Sequence, residues 1–243
     1  MATARYSDGM GPNSPLATVA MERFAVSAHN PEEIAIVDIA GGDMVRAVSH
    51  VHLEAFSGYL NARLGRGYAS ALIDWFVREK EKAIAIAAID RNDRVIGYAM
   101  GAPVSLTRRL RQDMFWVTAR SIILRPLVLF DRRLWKVGKR RISDFVAPRD
   151  VHPSSDLPEP TMSLFGIGVA LSHRKIGVGR QLMQAFEDKA RLLEMRSLLL
   201  WVHEDNIATR RFYEQCGWRP CPNAPGQLSR KYVRLIDRQD MRT

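Results

Sequence analysis

The sequence predicts a mixed α/β fold in which helices flank one sheet. Short apolar segments with strand character alternate with amphipathic helical segments, and a glycine-rich turn at 174–180 joins one such strand to one such helix. Two further apolar segments flank a polar turn at 90–93, which is typical of a β-hairpin. The chain has 243 residues, of which 47% are apolar and 26% charged, so it can bury a full core.

The order of the predicted elements supports this fold class. The predicted elements are a strand at 34–40, helices at about 43–56 and 68–80, hairpin strands at 83–89 and 95–100, a long insertion at about 105–150, a strand at 162–169, a helix from 178, a strand at 198–202, a helix after Asn206, and a final strand pair from Trp218 and from Leu228. We expect residues 1–30 to be a flexible leader, because they are rich in Ser, Pro, Gly and Ala, and residues 31–243 to form a single domain.

The glycine-rich turn has the properties of an anion-binding site. The first turn of a helix has N–H groups without intrahelical partners and carries partial positive charge. Gly177 and Gly179 have no Cβ, so the backbone can approach a phosphate closely. Arg174, Lys175 and Arg180 add full positive charges. The alternative is a solvated strand-to-helix turn in which these cations have no ligand.

Two other glycine-loop functions do not fit the residues. Gly166 and Gly168 begin a dinucleotide-binding pattern, but Leu171 occupies the place of its third glycine. The Gly-Lys-Ser/Thr sequence of a nucleoside-triphosphate loop is absent.

A second motif lies downstream, from Asn206 through Ala208, Phe212 and Tyr213 to Gly217 and Trp218. With this motif the chain resembles the GNAT superfamily of acyl-CoA-dependent N-acyltransferases, in particular its bacterial small-molecule members. One family signature, Arg/Gln-x-x-Gly-x-Gly/Ala, matches Arg174, Gly177 and Gly179. The other, which runs from Asn through Ala, Phe/Leu and Tyr to Gly-Phe/Trp, matches the downstream motif. Leu171 departs from the proline that many members have there.

The resemblance implies a GNAT fold, with a mostly antiparallel sheet, and acetyl-CoA or another acyl-CoA as co-substrate. It implies that the strand before the loop splays from its neighbour, that the pantetheine arm pairs with this strand, and that the Val169 N–H polarises the thioester carbonyl. It assigns cofactor binding to Ile167, Gly168, Val169, Arg174, Lys175, Ile176, Gly177, Val178, Gly179, Arg180, Asn206, Ala208 and Phe212.

The chemistry of acyl transfer requires an acid for the leaving thiolate and a base for the ammonium proton. The family match makes Tyr213 the candidate acid, because a phenol of pKa about 10 suits a thiol of pKa about 8.5; a core tyrosine is the alternative. Candidates for the base are His203 and Glu204 at a strand end, and Glu54 and His52 on the first predicted helix. Many members of the family use a chain of ordered water molecules instead. Asn206 is also expected to cap its helix.

The insertion carries most of the positive charge. Residues 105–150 contain twelve Arg and Lys residues against four Asp residues, which gives +8 of the net +10. Pro126 is expected to separate two helices. The insertion could form a basic wall for a phosphate-bearing acceptor, lie on an anionic membrane, or pack as a helical hairpin on its own domain or on a second subunit. Its aromatic side chains are expected to face the core, which makes nucleic acid an unfavoured partner.

The remaining features narrow the class of protein. The spacing of the histidines predicts no metal site, and two cysteines, Cys216 and Cys221, favour a reducing cytoplasm. No segment resembles a signal peptide or a transmembrane helix. The expected acceptor is a small-molecule primary amine, and a loose likeness to GNAT proteins of surface-polysaccharide synthesis favours an amino sugar. The alternative from another class is a non-catalytic acyl-CoA-binding module that docks on a membrane or a partner.

Overall fold

The computed structural model describes residues 34–57, 60–124, 157–223 and 227–236. The strands are β1 (Ala35–Asp38), β2 (Ile84–Ile89), β3 (Val95–Pro103), β4 (Thr161–Val169), β5 (Ser197–His203), β6 (Arg219–Pro220) and β7 (Ser229–Leu235). The helices are α1 (Gly41–Ala55), α2 (Leu60–Arg63), α3 (Arg66–Arg78), α4 (Thr107–Ile123), α5 (Val178–Leu192) and α6 (Ile207–Gln215).

The strands form one seven-stranded sheet in the order β1-β2-β3-β4-β5-β7-β6. Neighbouring strands are antiparallel except β4 and β5, which are parallel. The parallel pair needs a crossover connection, and α5 provides it. The predicted mixed α/β class is therefore confirmed, with a mostly antiparallel sheet.

Helices cover both faces of the sheet. The burial of β2 shows how its sequence determines this arrangement. Ile84 and Ile86 point to the face covered by α5 and α6, whereas Ala85 and Ala87 point to the face covered by α1, α3 and α4. Because successive residues of a strand face opposite ways, a run of buried isoleucine and alanine residues serves two cores.

The core on the α5 side of the sheet contains one face of this helix. Its buried residues are Val178, Leu182, Met183, Phe186, Glu187 and Ala190. The spacing of three or four residues places them on one face, as the sequence predicted. This face lies against β2, β3 and β4, which fixes the start of α5 next to the end of β4.

The turn between β2 and β3 is stabilised by Asp90. Its Oδ1 accepts hydrogen bonds from the backbone N–H groups of Arg94 (2.9 Å) and Asn92 (2.8 Å). These bonds lower the pKa of the Asp90 carboxyl. The turn also holds Asp93 in the left-handed region, at φ +57°.

The predicted elements up to residue 103 are confirmed within three residues at each boundary, and α2 is an additional short helix.

The insertion begins with α4. One expectation about it is wrong: Phe115 and Trp116 do not face the core but are 59% and 76% exposed. Only Leu110 and Met114 of α4 are buried, because the helix contacts α3 along one narrow face. The expected break at Pro126 and the second helix lie outside the described residues.

Candidate functional site

A gap opens between β4 and β5 in the middle of the sheet. The two strands pair only from Thr161 opposite Ser197 to Ser163 opposite Leu199, although both continue beyond these pairs. On the other edge of β4, the register with β3 shifts so that Phe165 has no partner on β3. Such a bulge bends its strand, and it lies where β4 leaves β5.

Backbone polar groups of β4 face this gap. The Ala170 N–H donates to the Ile96 carbonyl at 2.9 Å, so Ala170 forms a hydrogen-bonded pair with β3. Hydrogen-bonded pairs alternate along antiparallel strands. Because Val169 and Ile167 occupy the alternate positions, their N–H and C=O groups point away from β3 and into the gap.

The start of α5 adjoins the open end of the gap. Gly177 caps the helix at φ +96°, a conformation that favours glycine, and it makes no side-chain cap. Lys175 also lies in the left-handed region, at φ +68°. The N–H groups of Arg180 and Gln181 donate to the Gly177 carbonyl at 3.0 and 3.1 Å. The N–H groups at the very start of the helix precede any intrahelical acceptor, as an anion site requires.

The predicted cations lie in this loop. Arg174 is exposed, and its Nε donates to the Val169 carbonyl at 3.2 Å. This contact ties the loop to the last residue of β4. Lys175 is exposed as well. Positive charge therefore surrounds the strand end and the start of the helix.

The second half of α6 packs beside the start of α5. A Cβ added at Gly179 would lie 3.4 Å from the Phe212 ring, so the two helices approach closely there. Asn206 is the N-cap of α6, as predicted, and its Oδ1 accepts a hydrogen bond from the Thr209 N–H at 3.2 Å. Ala208 is exposed in the first turn of α6.

Tyr213 lies on the inner face of α6. Its side chain is 7% exposed, and its ring lies 5.5 Å from Phe212 and 6.1 Å from both Trp218 and Tyr232, between ring centroids. Burial, and to a smaller extent the charge of Tyr213, raises the pKa of Tyr98 on β3 well above its ordinary value.

The candidate bases at the end of β5 differ in their surroundings. His203 is half-buried, and its Nδ1 lies 3.5 Å from the Ser229 Oγ. Glu204 accepts hydrogen bonds from Arg230 Nε (2.7 Å) and Asn223 Nδ2 (2.9 Å), and it forms an ion pair with Arg210 (2.8 Å). The bond from Arg230 is the main reason that the pKa of Glu204 is lowered. Such a carboxylate is a weak base.

The candidate bases on α1 also differ. Glu54 accepts a hydrogen bond from the Leu171 N–H at 2.9 Å and lines an open cavity of about 340 Å³ with His50 and His173. His52 is 4% exposed, and its Nδ1 lies 2.6 Å from the Tyr98 hydroxyl. Burial lowers the pKa of His52 to about 4, so this imidazole is neutral at neutral pH.

Tyr98 is a residue that sequence reasoning missed. It lies fully buried in β3, against β4 and close to the gap. The available signal was a tyrosine in the middle of an apolar strand, because a buried phenol usually finds a polar partner.

Within the described part of the chain, no three His, Cys, Asp or Glu side chains are grouped so that they could hold a metal ion. In the same ranges, no helix is long and apolar enough to span a membrane.

Comparisons with known proteins agree with this geometry. Residues 141–218 match the model of the Acetyltransferase (GNAT) family, a region that includes β4, the glycine loop, α5, β5 and α6. None of the curated proteins matches this sequence.

Solved structures share the fold. SsHAT superposes with a TM-score of 0.56 at 18% identity, over 83% of this chain and 98% of that one. Ard1 from Thermoplasma volcanium gives 0.51 at 17% identity, over 84% and 97%. An acetyltransferase of the GNAT family from Staphylococcus aureus Mu50 gives 0.52 at 11% identity, over 84% and 100%. At these identities the likeness establishes the fold.

Proposed function

We propose that this chain, which carries a GNAT acetyltransferase domain, transfers an acetyl or other short acyl group from acyl-CoA to a primary amine of a small molecule. The observation that carries the proposal is the gap between β4 and β5, with backbone groups of Ile167 and Val169 directed into it and the start of α5 at its open end. A strand edge and a helix N-terminus match the two chemical parts of coenzyme A, an amide-containing arm and a pyrophosphate.

In the proposed complex, the pyrophosphate lies on the backbone N–H groups from Lys175 to Arg180. The pantetheine arm follows β4 as an added strand, and the Val169 N–H donates to the thioester carbonyl. Lys175 and Arg180 supply charge to the phosphates. Ala208 and Phe212 of α6 complete the proposed cofactor site, and the Phe212 ring lies beside Gly179 in the first turn of α5.

The proposed reaction is a direct attack in a ternary complex. The amine nitrogen forms a bond to the thioester carbon, and the carbon–sulfur bond breaks. Tyr213 donates its phenolic proton to the departing thiolate. Its burial in a ring of aromatic side chains holds the phenol in one place, which general acid catalysis requires.

Of the predicted bases at the end of β5, His203 is the one we retain. Its imidazole is half-buried at the end of β5, where its Nδ1 lies 3.5 Å from the Ser229 Oγ. Glu204 is bound by two arginines, which stabilise its charge and weaken it as a base.

The proposed acceptor carries phosphate, as a nucleotide-linked or lipid-linked amino sugar does. The support is the positive charge of the insertion. Its first helix, α4, packs on the same side of the sheet as α1. A basic wall there would concentrate an anionic amine.

We further propose that α4 contacts an anionic membrane surface. Phe115 and Trp116 are exposed beside each other, and Ile123 and Leu124 are 75% and 67% exposed at the helix end. Four arginines against one aspartate make the helix basic. Exposed tryptophan beside arginine is typical of helices that lie in a membrane interface.

The proposal is tested by measuring coenzyme A release from acetyl-CoA with a panel of amino sugars, nucleotide-linked amino sugars, amino acids, polyamines and peptides. Mass spectrometry identifies the acylated amine. We expect release that depends on one class of amine and an N-acetyl product. Tight acetyl-CoA binding with no transfer to any amine would instead favour the non-catalytic acyl-CoA-binding module.

A further inference from the structure

Two residues of β4 that border the gap, Gly166 and Gly168, have no side chain. Gly166 and Gly168 both lie on the α1 side of this strand. A Cβ at Gly168 would meet the Tyr98 ring at 2.7 Å, so the ring already fills that place. A Cβ at Gly166 would lie 3.5 Å from the Tyr98 hydroxyl and 3.4 Å from Met100 Cε.

The Tyr98 ring therefore crosses β4 diagonally. Tyr98 pairs with Gly168 in the sheet, but its hydroxyl reaches the level of Gly166. This direction leads from the open end of the gap towards its closed end, where β4 meets β5 at Ser163. The hydroxyl consequently lies beside the deep part of the gap.

The side chain of His52, on α1, contacts the Tyr98 ring. The 2.6 Å hydrogen bond joins its Nδ1 to the Tyr98 hydroxyl, and the ring centroids lie 5.7 Å apart. His52 also stacks on Phe56, at 5.1 Å between centroids. The Nε2 atom of His52 is buried with no hydrogen-bond partner among the described residues, so the imidazole combines one hydrogen bond, to Tyr98, with the stacking on Phe56.

The deep end is densely packed. Tyr98 is 0% exposed, and Met100 and Ala102 are 2% and 1% exposed. A carbon atom placed at the Cβ position of Gly166 is therefore already in van der Waals contact with Met100 Cε and the Tyr98 hydroxyl. Val169 and Ile167 are about 7 Å apart along a strand that rises about 3.3 Å per residue. A thioester at Val169 leaves room for only a few carbon atoms before this wall.

We propose that Tyr98 closes the deep end of the acyl site and restricts the donor to short acyl groups, while His52 holds the ring in place. The inference rests on the proposed function, because it takes the thioester to lie at Val169. Tyr98 is then a specificity-determining residue, and His52 is a positioning residue.

The test compares acetyl-, butyryl-, hexanoyl- and octanoyl-CoA as ligands of the full chain, by titration calorimetry, and as donors, by coenzyme A release. Tyr98→Ala removes the wall and should raise the affinity for hexanoyl-CoA relative to acetyl-CoA at least tenfold. Tyr98→Leu, which keeps an apolar side chain in the core, should give a smaller shift of the same sign. Tyr98→Phe keeps the ring but removes its hydrogen bond to His52, so it should shift the preference no more than His52→Ala does.

Tyr68→Ala is the matched control, since it removes a tyrosine ring of similar burial from α3 in the same core. His52→Ala should broaden the preference without abolishing acetyl-CoA binding. An unchanged ratio in both Tyr98→Ala and Tyr98→Leu would overturn the proposal, as would an equal shift in Tyr68→Ala. A wild-type protein that binds no acyl-CoA would instead refute the proposed function.

Discussion

At the scale of single residues, Tyr213 bears most of the proposed chemistry. Replacing it with Phe removes one oxygen and leaves the aromatic packing with Phe212 and Trp218 in place. We expect kcat to fall about 10²-fold or more, because positioned general acids contribute about 10²–10⁴-fold. The KM for acyl-CoA should change little. Steady-state kinetics decide the question, and undiminished turnover in Tyr213→Phe would remove this residue as the acid.

His52 makes the stability of the protein depend on pH. Its pKa is about 4 in the folded protein and about 6.5 when unfolded, so between these values the unfolded chain binds the extra proton. The stabilisation is present above pH 6.5 and is lost as the pH falls towards 4. We expect the free energy of unfolding to fall by about 2 kcal/mol from this residue between pH 7 and pH 5. Urea denaturation at both pH values should show that His52→Asn lacks this increment, and an identical pH dependence in the variant would contradict the assignment.

The hydrogen bond between His52 and Tyr98 also predicts a stability change. Tyr98→Phe leaves the buried His52 imidazole with no hydrogen-bond partner among the described residues. Such a loss typically costs about 1–3 kcal/mol. Chemical denaturation at pH 7 gives this value. A variant as stable as the wild type would mean that a water molecule satisfies the imidazole.

At the scale of elements, we expect the loop before α5 to determine cofactor affinity. Lys175 precedes α5 and Arg180 lies in its first turn, where the proposed phosphates bind. The Lys175→Gln, Arg180→Gln double variant should raise the KM for acyl-CoA about tenfold or more, since each charge-assisted hydrogen bond contributes about 1.5–3 kcal/mol. The KM for the amine should stay unchanged. Equal effects on both substrates would show that the loop is wrongly assigned.

The exposed side of α4 should mediate membrane binding. Phe115→Ala with Trp116→Ala removes two exposed rings without altering Leu110 and Met114, the side chains that pack on the core. Co-sedimentation with vesicles of anionic lipid should weaken in this variant and at high salt. Leu192→Ala, which removes a 71% exposed apolar residue from α5, is the control. Equal vesicle binding by the wild type and the α4 variant would exclude this surface.

At the scale of the whole molecule, sequence patterns predicted the sheet, the hairpin, the helix starts and the glycine-rich turn before α5. These features depend on local order: alternation in strands, periodicity in helices, and glycine where the backbone is left-handed, as at Gly177. The buried pair of His52 and Tyr98 was not predicted, because 46 residues separate its members and only the folded sheet brings them together. The exposure of Trp116 was missed for a related reason. A helix with apolar residues around its circumference does not reveal which side finds a partner.

The residues of the proposed site come from both faces of the sheet. The α5 face provides the cofactor loop and Tyr213, whereas the α1 face provides Tyr98, His52 and the basic α4. The gap between β4 and β5 connects them.

Hydrogen–deuterium exchange with and without acetyl-CoA tests most directly whether this gap is the acyl-CoA site. The account predicts slower amide exchange at Ile167 and Val169 and across residues 175–180 when acetyl-CoA is bound, with no change in α4. Protection confined to other segments, or none in residues 167–180 at a saturating concentration, would contradict it.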